Sequence, residues 1–277
     1  MEKRMLFMDL DGTLLNDRKE ITPGNRAALE AALARGHGVI IATGRPLKSA
    51  MAQARKLGLD KPGCFLIAYN GAMIYDWAQN RQLFARTLPI PTVLDIFDYV
   101  NRQGFHLQTY DTWDVLVEPR CDDAIVREYC DLIRMDFKVI PSVHTDLTEE
   151  PVKVLIIEKQ DLAGIRRLQK EIGIHFGDKV DTFFSNPTYM EVVPVGMNKG
   201  EAVKMLCKMM NVPIKNAVAV GDAANDISMI EMAGIGVAMA NGTNEVKLVA
   251  NYVTTCDNNH DGIAEVVDRF FAEPVTL

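Results

Sequence analysis

Asp9 and Asp11 stand two residues apart in the stretch MLFMDLDGTLLND, Met5 to Asp17, behind four apolar residues and ahead of Gly12 and Thr13. Side chains alternate along a strand, so a strand through this stretch places both carboxylates on one face and Leu10 on the other. Two neighbouring anions repel each other unless something positive lies between or beside them. Asp-Gly is also a common turn signal, and that reading stays open from the stretch alone. Other polar residues end apolar runs in the same way. Thr43 closes GVIIAT, Asn70 closes CFLIAYN, and Asp222 closes AVAVGD, with Asn225 and Asp226 one turn further on; Lys199 opens a helix-like run. Each has an ordinary reading on its own, as a cap, a turn or a solvated lysine. Together they are chemically coherent. Three carboxylates, Asp9, Asp11 and Asp222, call for a hard cation, and oxygen ligands suit Mg²⁺. Lys199, the Thr43 hydroxyl and the backbone N–H groups of Gly12 and Thr13 make a cradle for an oxygen-rich anion such as a phosphate.

The elements that must position these residues read as an α/β fold. Thr22 and Pro23 suit an N-cap and first helical position, and the following run places Leu29, Ala32 and Leu33 at helical spacing before Gly36. Val39 to Ala42 forms a short β-branched run, and a helix opens at Pro46 and ends at Gly58. Continuous apolar runs separated by amphipathic helices predict a parallel sheet covered on both faces. Ligands bind such sheets outside the carboxyl ends of the strands, where the polar residues above fall.

Around residue 82 the rhythm changes. FHLQTY, VLVEP, VKVLIIEK, VDTFFSN and YMEVVP are more polar and alternating, with helices near 91–103, 121–134 and 161–173. This predicts an inserted α+β domain with a partly solvated antiparallel sheet, over 83–190, within a Rossmann-like core formed by 1–82 and 191–277.

Composition narrows the function. A net charge of −7 and the lack of a basic stripe argue against nucleic acid as a partner. Cys64, Cys121, Cys130, Cys207 and Cys256 are widely spread with no Cys-x-x-Cys pair, which fits reduced thiols. Asp9 interrupts the first apolar run too early for a signal peptide, and no run is long enough to span a bilayer. A cytoplasmic protein without a membrane partner is expected. The five histidines share no metal-binding spacing, and GIGVAMANG, Gly234 to Gly242, has the wrong glycine spacing for a dinucleotide site.

DLDGTLL (Asp9–Leu15), ATGR (Ala42–Arg45), NKG (Asn198–Gly200) and GDAANDISM (Gly221–Met229) resemble the four ordered motifs of the haloacid dehalogenase superfamily. The long insertion looks like the type II cap of its Cof-type phosphatases, and YNGA (Tyr69–Ala72) and NNHDG (Asn258–Gly262) resemble further landmarks of that group. The resemblance implies an enzyme hydrolysing a small phosphorylated metabolite, such as a sugar phosphate, with Mg²⁺ as cofactor. Asp9 would be the nucleophile, forming an aspartyl-phosphate, and Asp11 the general acid and base. Asp9, the backbone carbonyl of Asp11 and Asp222 would hold the metal, with Asp226 a ligand or orienting group. Thr43 and Lys199 would hold the phosphoryl oxygens, with Gly12, Gly44, Arg45, Asn70 and Asn225 as further substrate-binding positions. Arg45 could equally serve a salt bridge.

Ala224 departs from the polar residue that relatives often carry there. The presence of Asp11 favours phosphoryl transfer over dehalogenation. Tyr110, Trp113, Tyr189 and Glu191 are candidates to read the substrate within the insertion. A phosphomutase and a non-catalytic ligand-binding regulator on the same fold are the alternatives. The first would keep every core residue, and the second would tolerate loss of Asp9 or Asp11.

Overall fold

A computed structural model describes residues 2–119 and 123–272 of the 277-residue chain, so Cys121 lies outside the described residues. The chain forms two compact units, one of Met1–Thr43, Ala50–Phe84 and Asn198–Leu277, the other of Gly44–Ser49 and Ala85–Met197. Among the described residues no helix is long and apolar enough to cross a membrane.

From the N-terminus run β1 (Met5–Met8), α1 (Pro23–Ala34), β2 (Gly38–Ala42), α2 (Leu47–Leu57), β3 (Cys64–Ala68), β4 (Met73–Asp76) and β5 (Arg81–Ala85). Next come α3 (Ile90–Asn101), β6 (His106–Tyr110), β7 (Val115–Val117), α4 (Asp123–Ile133), β8 (Phe137–Val139) and α5 (Val143–Asp146). The second unit ends with β9 (Val154–Ile157), α6 (Leu162–Phe176), β10 (Val180–Asn186) and β11 (Tyr189–Pro194). The chain then returns through α7 (Lys199–Met209), β12 (Ala217–Gly221), α8 (Ile227–Met232), β13 (Ile235–Ala238), α9 (Asn244–Val249), β14 (Tyr252–Val253) and α10 (Gly262–Phe270).

The first unit is built on a sheet of order β14-β13-β12-β1-β2-β3-β4-β5. Its six strands from β14 to β3 are all parallel, and β4 runs antiparallel to β3. Every residue of β1, β2, β3 and β12 is buried, as continuous apolar runs require when helices cover both faces. Phe7, Ile40, Phe65, Leu206 and Met229 lie in one core cluster. Chain order reverses between β1 and β12, so the crevice outside their carboxyl ends is the topological switch point of the sheet.

The N-terminus of α1 departs from expectation. Thr22 caps no helix amide; its hydroxyl donates to Asp261 Oδ1 at 2.5 Å, and the same oxygen accepts from Asn25 N at 3.1 Å. Asn25 Oδ1 in turn accepts from Ala264 N at 2.8 Å. The two helices thus cap each other across 236 residues of sequence.

The second unit holds a sheet of order β10-β11-β9-β6-β7-β8. One face buries Leu107, Val154, Ile156, Met190 and Val192 with Phe97 of α3 and Leu168 of α6. The sheet is not wholly antiparallel. Strand β8 runs parallel to β7, because α4 carries the chain back across the sheet between them. It is also less solvated than expected, since β6, β7, β9 and β11 are buried along their whole length. The expected boundaries at 82/83 and 190/191 fall inside hydrogen-bonded sheets. Strand β5 completes the first sheet, and β11 is paired on both sides within the second, so the units divide near Phe84 and Met197.

Candidate active site

Strand β1 stops at Met8, so Asp9 and Asp11 both lie past its end and share no strand face. Two backbone bonds fold the loop back, Leu14 N to Asp9 O at 3.3 Å and Leu15 N to Leu10 O at 2.8 Å. Asp9 N donates to Val220 O at 3.1 Å, which pins the residue beside the end of β12. Asp9 is buried at 7% exposure. The Asp11 side chain is 39% exposed and pairs with Lys19 at 2.8 Å.

Lys199 supplies the positive charge that Asp9 needs. Asn198 caps α7 by accepting from Glu201 N at 2.9 Å, and Ala202, Val203 and Leu206 bury the helix against the core. This sets the first helical residue inward. The Lys199 side chain is fully buried, with Nζ 2.6 Å from Asp9 Oδ1 and 2.6 Å from Asp226 Oδ1. The other Asp226 oxygen accepts from Asp222 N at 3.0 Å and Ala223 N at 3.1 Å, so Asp226 is held from both sides. Asp222 Oδ1 accepts from the Thr13 hydroxyl at 2.7 Å.

Carboxylate oxygens of Asp9, Asp222 and Asp226 lie within 4.8 Å of one another. Three carboxylates face one ammonium. Burial pushes the Asp9 carboxyl up to about 7; Lys199 opposes this, while Asp226 and Asp222 add to it. Burial likewise raises Asp222 to about 6, against the Thr13 hydrogen bond, with Asp226 and Asp11 adding repulsion. For Lys199, burial works against the charge, but Asp226 and Asp9 outweigh it and hold its pKa above the ordinary lysine value. Among the described residues none donates a hydrogen bond to Asp9 Oδ2 or Asp222 Oδ2. An all-oxygen donor set with excess negative charge and two free carboxylate oxygens fits a hard divalent cation such as Mg²⁺. The Asp11 carboxylate lies outside this group.

The remaining predicted residues are placed as follows. Gly12 has φ of +86°, and a Cβ there would lie 2.4 Å from Asp222 Oδ2, so only glycine lets the loop pass this close. Thr43 is buried at the end of β2; its N donates to Ile67 O at 2.9 Å and its carbonyl accepts from Asn70 N at 3.0 Å. Asn70 is buried in a tight turn, Tyr69–Gly71, with φ of +54°, and its Oδ1 accepts from Asn225 Nδ2 at 3.2 Å. Gly44 and Arg45 are half-buried between β2 and α2 and group with the second unit. In that unit Tyr110, Tyr189 and Glu191 are buried, Glu191 against Lys153 at 2.7 Å, whereas Trp113 is exposed on the turn between β6 and β7.

Asn241 and Asn258 also reach the loop after β1. Asn241 Nδ2 donates to Gly12 O at 2.7 Å, and Asn258 Nδ2 to Leu15 O at 2.9 Å. Asn241 falls within GIGVAMANG, where the glycines drew attention and the asparagine did not.

A model of the haloacid dehalogenase-like hydrolase family matches residues 6–267. The chain belongs to that family. A solved haloacid dehalogenase-like hydrolase from Bacteroides thetaiotaomicron is 31% identical, with a TM-score of 0.87 covering 97% of this chain and 99% of that one. The subclass IIB sugar phosphatase BT4131 shares the fold at 24% identity and a TM-score of 0.81, covering 97% of this chain and 99% of its own. The pyridoxal phosphate phosphatase YbhA of Escherichia coli is 29% identical over 274 residues, 96% of this chain and 98% of YbhA. As a haloacid dehalogenase-like hydrolase the chain is an enzyme with a parallel-sheet core and an inserted α+β domain.

Proposed function

We propose that this hydrolase is a Mg²⁺-dependent phosphatase of small phosphorylated metabolites, sugar phosphates foremost, working through an aspartyl-phosphate on Asp9. One observation carries the reading. A carboxylate at the end of β1 is held by a buried lysine within a three-carboxylate group at the switch point of the sheet.

Lys199 grips the Asp9 carboxylate through Oδ1 and so holds it in place to attack phosphorus. As the ester bond breaks, Asp11 gives a proton to the leaving oxygen. It then takes one from the water that attacks the acyl-phosphate, regenerating Asp9 and releasing inorganic phosphate. Its half-exposed position on the loop suits a group that must meet substrate and water in turn. Lys199, the Thr43 hydroxyl and the N–H groups of Gly12 and Thr13 hold the phosphoryl oxygens and offset charge in the transition state. Asn70 orients the Asn225 amide for the same oxygens, and Gly44 and Arg45 extend the binding strand end. Asp9, Asp222, Asp226 and the Asp11 carbonyl would hold Mg²⁺, which when bound neutralises charge at the carboxylates and the transferring phosphoryl group.

The inserted unit sets specificity. Sugar phosphate and pyridoxal phosphate, the substrates in the names of BT4131 and YbhA, mark the range to search. These are free cytoplasmic metabolites, so neither nucleic acid nor membrane is needed as a partner. Phosphate release is measured with Mg²⁺ from sugar phosphates, nucleotides, pyridoxal phosphate and flavin mononucleotide, wild type beside Asp9→Asn. Activity that vanishes in the variant and with EDTA is expected. Activity retained by Asp9→Asn overturns the nucleophile, and stoichiometric transfer to a second sugar without phosphate release makes the chain a mutase.

A further inference from the structure

Resting on the phosphatase reading, we infer that Asn241, backed by Asn258, is a positioning residue that aims the Thr13 N–H at the phosphoryl group. The Gly12–Thr13 peptide is trans and planar, so its C=O and N–H point in opposite directions. Asn241 Nδ2 holds the Gly12 carbonyl at 2.7 Å. Fixing that oxygen fixes the plane of the peptide and with it the direction of the Thr13 donor. Gly12 lacks the side chain that narrows φ and ψ, so its own backbone resists rotation of that plane less than another residue's would.

The asparagine amide is itself held. Its Oδ1 accepts from Asn258 N at 3.1 Å, which fixes which end of the amide faces Gly12. Asn258 is buried at 4% exposure, and its own Nδ2 donates to Leu15 O at 2.9 Å and to Asp17 Oδ1 at 3.3 Å. Two carbonyls of the loop behind the nucleophile are therefore gripped by two linked side-chain amides. The segment that carries Asn241 also grips the other half of the site, since Thr243 N donates to Asp222 O at 2.9 Å. Thr13 closes the ring through its hydroxyl on Asp222. The peptide that offers an amide to phosphate and the carboxylate beside it are thus referenced to one short segment after β13.

Asn241→Ala removes the donor without adding charge. Asn241→Asp keeps the shape and the acceptor for Asn258 N but places a carboxylate oxygen against the Gly12 carbonyl. Hydrolysis of para-nitrophenyl phosphate, inhibition by orthovanadate, half-activation by Mg²⁺ and thermal melting are measured on wild type and both variants. Orthovanadate mimics the five-coordinate phosphorus of the transition state, so its affinity reports the aim of the donors. Loss of one oriented donor to a developing charge costs on the order of 100-fold in rate, and loss of its aim costs about 10-fold or more. Both variants are expected to lose kcat and orthovanadate affinity by similar factors, with half-activation by Mg²⁺ unchanged. A lower melting temperature with unchanged orthovanadate affinity would mean a structural role only and overturn the inference. If the wild type hydrolyses no phosphate ester, the phosphatase reading falls and takes this inference with it. An active wild type with two unaffected variants overturns the inference alone.

Discussion

Replacing Gly12 by alanine tests how closely the loop and the acidic cluster are fitted together. The new methyl carbon would lie 2.4 Å from Asp222 Oδ2 and 2.8 Å from its Cγ, where ordinary contact begins at 3.4 Å. The carboxylate must therefore retreat by about 1 Å, and its 2.7 Å bond from the Thr13 hydroxyl is lost or stretched. A left-handed φ of +86° adds about 1–2 kcal/mol for an L-residue. Overpacking of this kind costs about 1–3 kcal/mol more, so Gly12→Ala should lower stability by roughly 2–5 kcal/mol. A displacement of about 1 Å in a catalytic group costs about 100-fold in rate. Urea unfolding and steady-state phosphate release measure the two effects. In an Asp222→Ala background the clash is gone, and only the backbone part, about 1–2 kcal/mol, should remain. An alanine variant with wild-type kcat, or one that costs the same stability in both backgrounds, would refute the fitted loop.

Other predictions follow from the same geometry. Asp9 and Asp222 are raised to about 7 and about 6, so protons compete with Mg²⁺ for these oxygens. Stabilisation by Mg²⁺ in a thermal shift assay should be larger at pH 8 than at pH 5.5, and in EDTA these two groups should destabilise the fold as pH rises from about 4 to about 7. Lys153 and Glu191 form a buried pair, with side chains 2% and 5% exposed. Glu191→Ala should cost about 3–5 kcal/mol in urea unfolding, and Lys153→Met with Glu191→Leu should recover most of it. Burial pushes the Glu265 carboxyl up, but hydrogen bonds from Tyr252, Thr255 and Cys256 outweigh it and hold it down at about 2. Its stabilisation is complete above about pH 4.5 and lost as pH falls toward 2. Glu265→Gln should therefore be less stable than wild type at pH 7, with the gap closing at acid pH.

The parallel sheet and the rim of polar residues at its strand ends were legible because both are written locally. Apolar runs such as VIIA and AVAVG mark buried strands whatever their partners, and one residue past each lies the chemistry. Asp9, Asp222 and Asp226 lie together there, whereas the Asp11 carboxylate, grouped with Asp9 and Asp222 by the sequence, lies outside the group. What was hidden depends on partners far along the chain. Thr22 looks like the cap of α1, but the carboxylate that caps it is Asp261, which stands 239 residues away. Strand alternation put Asp11 beside Asp9, whereas two backbone bonds end the strand early and turn Asp11 toward Lys19. Asn241 and Asn258 carry no signal of their own, because an asparagine in a loop reads as a turn until the carbonyl it holds is seen. The parallel pairing of β7 and β8 needed the path of α4 across the sheet, which no local pattern records.

The most direct measurement is chemical trapping of the covalent intermediate. Enzyme turning over a phosphate ester with Mg²⁺ is quenched and treated with borohydride, which reduces an acyl-phosphate to the alcohol, and the peptides are read by mass spectrometry. The account predicts homoserine at position 9, dependent on substrate and absent with EDTA. Homoserine at Asp11 or Asp222, or active enzyme from which no residue 9 product can be trapped at any quench time, would contradict it.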